Sequence, residues 1–280
     1  MRMFTAILAM AHLTLYESRR RRIVTAAVVC ATAFLAVYTT GLFFIHREQV
    51  RTSMPFVQQQ ATMALLAVAG LYGVNFLSIL FAVLLPVDTL SGEIDSGVLH
   101  TIASKPVRRA DIVIGKWLGH AVIVTGYVLA LLLGVMLVMR VVVGPVPVRP
   151  LQALPLLILE MLLLMTVSIA GGTRLSTVTN GVTALGFYGI AFIGGWIEQI
   201  GGFVGSHAAR TVGIVASLIS PADALWRLGS YRVQPDNLRN IGAALFATSS
   251  IPTTLMVWWA AGFTLAALLF AVRSFSTRQL

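Results

Sequence analysis

The sequence predicts an all-α, polytopic integral membrane protein with six transmembrane helices and both termini cytoplasmic. Three observations predict it. Hydrophobic residues make up 58% of the 280, against about 45–50% in soluble domains. Charged residues make up 11%, less than half of the roughly 25% that a water-facing surface carries. The apolar residues also gather into nearly uncharged runs of about 20 or more, the length that crosses a hydrocarbon core. The mean hydropathy of +0.88 agrees. The same figures exclude disorder, collagen and coiled coil, and they make the lipid bilayer the main solvent.

The elements follow in order. Residues 1–22 read as an interfacial N-terminal helix, and residues 23–280 as the transmembrane domain. The first span, 23–45, follows Arg19, Arg20, Arg21 and Arg22. It is too long for a signal-peptide core and no small-residue cleavage site ends it, so it stays as a span. The second, 61–85, is stopped by Pro86 and Asp88; the third, 117–139, by Arg140. The fourth, 151–172, contains one acid, Glu160; the fifth, 175–197, ends at Glu198; the sixth, 253–272, is followed by Arg273. Residues 211–220 are apolar but only about half a membrane long, and Pro221 and Asp223 end them. They read as an interfacial or re-entrant helix.

Charge sets the orientation. Twenty Lys+Arg against ten Asp+Glu leave +10. In a soluble protein that excess would point to nucleic acid. Here the cations flank spans, where they orient the chain and meet anionic headgroups, and no nucleic-acid partner is expected. Twelve cations fall on the side of the termini and eight on the other, and the four-arginine cluster abuts the first span. Residues 86–116 then form the long inner loop and 198–252 the long outer one. The expected location is the cell (inner or plasma) membrane.

Catalytic signatures are missing. Cys30 is the lone cysteine, which excludes an intrachain disulfide and a Cys-based metal cluster. His12, His46, His100, His120 and His207 form no i, i+3 or i, i+4 pair. Gly115-Lys116 fails as the end of a phosphate-binding loop, because Ala110 and Trp117 stand where Gly and Ser/Thr are required. The chain reads as no enzyme, with no cofactor and no metal. If ATP drives it, another polypeptide hydrolyses the ATP. No internal repeat suggests an inverted-repeat transporter.

The inner loop is the densest polar stretch. Eight charged residues, four of each sign, lie between Asp88 and Lys116. The spacing predicts a helix over 90–103, with Ile94, Val98, Leu99 and Ile102 on one stripe and Glu93, Asp95 and His100 off it. Lys105-Pro106 breaks it. A second helix starts near Arg108, has Asp111 in its first turn where a carboxylate suits the helix dipole, and continues through Lys116 into the third span. Mixed charge beside an apolar stripe suits docking on a protein better than on anionic lipid.

The loop resembles that of ABC-2-type permeases, the membrane subunits of ATP-binding-cassette exporters. The matching residues are Glu93, Gly97-Val98-Leu99, Pro106-Val107-Arg108-Arg109 and Gly115-Lys116-Trp117-Leu118-Gly119, in the family's order and spacing. Ser220-Pro221-Ala222-Asp223 is similar to a second family segment. Among subgroups, the permease of the nitrous-oxide-reductase maturation transporter looks nearest, through residues 115–120. The family usually has Ser, Thr or Gly where Arg108 stands, so the usual helix cap is missing. The resemblance implies a separate ABC ATPase subunit and a second permease copy, in a homodimer or pseudo-dimer. It also implies a coupling helix, with Glu93, Asp95, Gly97, Leu99, Pro106, Arg108, Arg109, Gly115 and Lys116 as the ATPase-coupling residues.

Glu160 is the other conspicuous residue. A charge at the centre of a span costs about 2.5–3.5 kcal/mol on insertion scales, so Glu160 must be protonated, paired or facing a wet cavity. Asn75, Ser78 and Thr125 are the polar residues available to pair with it. Two roles fit: a pathway site with Asn75, or a hydrogen bond that fixes packing. An alternative function stays open, a stand-alone secondary transporter with Glu160 as its coupling acid. The transported substrate leaves no signature. The topology predicts that cysteines placed at Ser53 and Asn237 react with an impermeant thiol reagent on intact cells while one at Ser104 does not. A reactive Ser104→Cys contradicts the arrangement.

Overall fold

The computed structural model describes residues 2–53, 55–89, 91–92, 108–144, 150–233 and 251–277. These are helical nearly throughout. α1 is Arg2–Ser18, α2 Arg22–Arg51, α3 Phe56–Leu84 and α4 Arg109–Val142. A 3-10 turn at Pro150–Gln152 precedes α5, Leu154–Gly172; then follow α6, Thr177–Val204, α7, His207–Ile219, α8, Ala222–Val233, and α9, Leu255–Thr277. Six of them (α2, α3, α4, α5, α6 and α9) are long and apolar enough to cross a membrane. Several run past the apolar segments that announce them: α2 continues to Arg51 and α4 begins at Arg109, well before residue 117. Arg108 is the N-cap of α4 and offers no side-chain hydrogen bond, so the cap that Ser, Thr or Gly would favour is absent.

Burial separates the spans. α3 and α5 are the central helices, each with 61% of its most apolar window buried, whereas α2 and α9 have 6% and 17% and leave most of their surface to lipid. The core joins Leu71, Val74 and Phe81 of α3 to Leu131 and Val135 of α4, Met161 and Leu164 of α5, and Ala260 and Phe275 of α9.

The end of α9 and the α1–α2 turn lie on one side of the bundle. Near its end α9 places Ser274 against Thr173 and Arg174 in the α5–α6 turn, with Thr173 Oγ1 3.0 Å and Arg174 Nε 2.9 Å from the Ser274 hydroxyl. On the same side Arg21, between α1 and α2, pairs with Asp88 just after α3. On the opposite side α7 and α8 form a bent pair, 106° apart. Gly205 at φ 77° ends α6 in the left-handed region that glycine tolerates. Ser206 then caps α7 by accepting from the Ala209 N–H. α7 runs back along α6, Gly201 facing Ala209 and Gly194 facing Ala216. Pro221 breaks the helix, and α8 returns toward the start of α5, Gly229 facing Ala153. The pair enters and leaves on one side, as its short apolar run suggests.

α1 is set against α4. Gly115 faces Met10 and the Ile7 carbonyl, and Gly119 faces Thr14 and the Ala11 carbonyl, so that a Cβ at either position would overlap α1. Two glycines one turn apart let helix backbones approach closely. A large side chain here forces α1 away, at a cost of about 1–3 kcal/mol. Gly119→Leu should therefore insert normally but expose the α1–α2 junction at Arg19–Arg22 to trypsin. Gly126→Leu, on the same helix with open space around it, should not. Equal protection of the two variants would contradict the packing role.

Candidate functional site

The first site is the base of the 86–116 loop. α3 stops at Leu84 because Pro86 follows and has no N–H to donate back into the helix; Leu85 stays helical and still donates to the Phe81 carbonyl. A helix end leaves carbonyls without intrahelical donors, and hydrocarbon supplies none. Here side chains from three neighbouring helices supply them. Ser168 Oγ of α5 donates to the Val83 carbonyl at 2.8 Å. Asn180 Nδ2 of α6 donates both to the Val87 carbonyl at 3.1 Å and to the Ser168 carbonyl at 2.8 Å. Lys116 Nζ of α4 reaches the Thr89 carbonyl at 3.4 Å. Ser91 Oγ lies 2.9 Å from Thr177 Oγ1 at the start of α6, and Arg21 adds the ion pair to Asp88.

His120 completes the arrangement. Its Nδ1 is 2.8 Å from the Lys116 carbonyl, which can only accept, so Nδ1 carries a proton. Nε2, 3.3 Å from Thr89 Oγ1, then accepts from that hydroxyl in the neutral ring. Gly171 makes room for Asn180, since a Cβ there would overlap the carboxamide.

The residues expected to couple to an ATPase divide by position. Arg108 is exposed and Arg109 half-buried at the start of α4. Gly115 and Lys116 are buried, Lys116 at 3% exposure. These two pack α1 and hold the loop base, and neither presents a docking face. Glu93, Asp95, Gly97, Leu99 and Pro106 lie outside the described residues, as does most of the helix expected over 90–103.

The second site lies deeper. Glu160, on α5, is completely buried. Of its expected partners Asn75 meets it, Nδ2 lying 3.5 Å from Oε1. Ser78 is buried one turn along α3, and Thr125 is only half-buried on α4. Toward the α7–α8 side stands a charge cluster that sequence reading missed. Arg227 places Nη1 2.9 Å from Glu198 Oε2, Nε 2.9 Å from Asp223 Oδ2, and Nη2 3.0 Å from Ser217 Oγ. All four side chains are buried. The i, i+4 spacing of Asp223 and Arg227 was a readable signal; the contribution of Glu198 from α6 was not. Asn180, a lone amide in the apolar run 175–197, could have been flagged as Glu160 was.

Residues 8–280 match the model of a family described as ABC-2 family transporter protein. The chain belongs to that family. It is a multi-pass membrane permease subunit of an ABC transporter, a transport component. No curated protein matches it.

If the loop base carries load, removing its donors must hurt. Asn180→Leu keeps the volume but removes two hydrogen bonds, to the Val87 and Ser168 carbonyls, worth about 0.5–1.5 kcal/mol each. The variant should lose thermal stability in detergent by clearly more than Val178→Leu, a change at a neighbouring lipid-exposed position. Equal melting of the two would contradict the role.

Proposed function

We propose that this permease subunit serves an exporter whose ATP is hydrolysed by a separate ABC ATPase, and that the 86–116 loop transmits the stroke. The side bearing the termini is cytoplasmic, in keeping with the four-arginine cluster before α2. Glu93, Asp95, Gly97, Leu99, Pro106, Arg108 and Arg109 dock on the ATPase. Gly115 and Lys116 act behind them, setting the position of α1 and of the loop base.

The observation that supports this most is the attachment of residues 83–91 to α4, α5, α6 and the α1–α2 turn. A solvated connector needs no such anchorage. A lever does, because displacement of the loop must reach several helices together. A second copy of the chain completes the pathway, as the family resemblance implies, and the buried Glu160–Asn75 pair lines it.

The docking face is tested by charge reversal. Losing a desolvated charge contact at an interface costs on the order of 2–5 kcal/mol. Glu93→Arg and Arg109→Glu should insert and express normally, yet lose co-purification with the ATPase and its transport-stimulated hydrolysis. Retention of the partner and of full hydrolysis by both variants would contradict the assignment.

A further inference from the structure

Around Glu160 the hydrogen-bond inventory is short of donors. Glu160 Oε2, Asn75 Oδ1 and Ser78 Oγ are all buried and have no hydrogen-bond partner among the described residues. The first two, with the carboxyl ionised, are pure acceptors. The hydrogen bond that Glu160 does receive, from Asn75 Nδ2, is long at 3.5 Å. Leaving a buried polar atom unsatisfied is costly, and more so when it is charged. A single proton on the carboxyl removes the charge and supplies the missing donor.

The cation on α8, Arg227, is already held by Glu198 and Asp223. From α3 the neighbours are Asn75 and Tyr72, from α6 Tyr188, and from α8 Asp223, whose carboxylate acts on Glu160 with the same sign. Between His120 and Arg140, α4 has one titratable side chain, Tyr127, and its hydroxyl is bound to the Ala27 carbonyl. α9 carries no charged residue before Arg273, and α5 has none besides Glu160.

A polar route also leads away from the site. Asp223 packs against Gly195 of α6, and Tyr188 lies seven residues earlier on the same face of that helix. Asp223 is bound to Arg227, and Arg227 and Glu198 line a cavity of about 230 Å³ with Ser217 and Thr253. That cavity lies on the side of the α7–α8 pair, away from the termini.

We infer that Glu160 is a proton-binding site whose carboxyl takes up and releases one proton through this cavity, by way of Tyr188 and Asp223. The inference rests on the proposed place of Glu160 in the pathway wall, and it assigns that site its ligand. Proton binding makes the pathway wall neutral when loaded and anionic when empty. The medium opposite the termini then biases which cargo charge the wall tolerates.

The test uses the full chain, purified without an ATPase in lipid nanodiscs, followed by infrared difference spectroscopy through pH steps. A carboxylic C=O band should be lost on alkalinisation and return on acidification. It should be absent from Glu160→Gln and present in Asp223→Asn. Identical difference spectra for the unaltered protein and Glu160→Gln would overturn proton binding. The route is read separately, in a Cys30→Ser background carrying Thr253→Cys. Attaching a bulky impermeant maleimide to that cysteine should slow loss of the band after an alkaline jump several-fold without changing its final extent, and an unchanged rate would overturn the route. Because no ATPase is present, these outcomes are independent of the charge-reversal variants at the loop.

Discussion

Hydrocarbon contributes no hydrogen bonds, so wherever a spanning helix stops inside the bundle its last carbonyls must find donors within the protein. Pro86 imposes that condition at the end of α3, on the side of the chain termini. The response shapes half of the molecule. Ser168, Asn180 and Lys116 project from three neighbouring helices and donate to the Val83, Val87 and Thr89 carbonyls. One interrupted helix thereby ties α4, α5 and α6 to a single short segment.

The two polar sites share the same pair of helices. On α5, Glu160 and Ser168 are eight residues apart, and on α3 so are Asn75 and Val83. Eight residues are about 12 Å of helix, a little over two turns. α3 and α5 are therefore joined at two levels, Ser168 to Val83 below and Asn75 to Glu160 above. Both are also the most enclosed spans, packed as closely as protein interiors are and correspondingly stiff. Displacement of the loop base would be carried along this unit to the buried acid and on to the α7–α8 pair, where Trp226 meets Tyr72 of α3 with ring centroids 4.6 Å apart.

Much of the fold was legible because lipid imposes a simple grammar. Nearly uncharged runs long enough to span gave the six crossing helices, and Pro221 ended a run half that length, whereas the helix beyond it, α8, had no such signal. Helix ends were less legible: α2 and α4 extend past their apolar segments into charged turns at Arg51 and Arg109, since backbone hydrogen bonding continues where hydropathy has already fallen. The site was legible only one residue at a time. Glu160 announced itself as a charge in an apolar run, and Asn75 as its partner. Gly115 and Lys116 stood out by resemblance, which implied a docking face for Lys116, whereas its ammonium is buried against the Thr89 carbonyl just beyond α3. The Glu198–Arg227–Asp223 cluster needed the third dimension, because its members come from two helices brought together only by the turn-back of α7.

The most direct test of this account asks whether the loop base and the central helices move together. Spin labels on Gly92→Cys and Val178→Cys report the loop base against α6, and labels on Val178→Cys and Trp258→Cys report α6 against the start of α9 on the opposite side. With Cys30 replaced and the ATPase bound, pulsed electron-resonance distances are compared between nucleotide-free and ATP-bound complexes. The account predicts that the first distance stays constant while the second changes. A first distance that lengthens while the second stays fixed would show the loop moving free of the bundle and would contradict it.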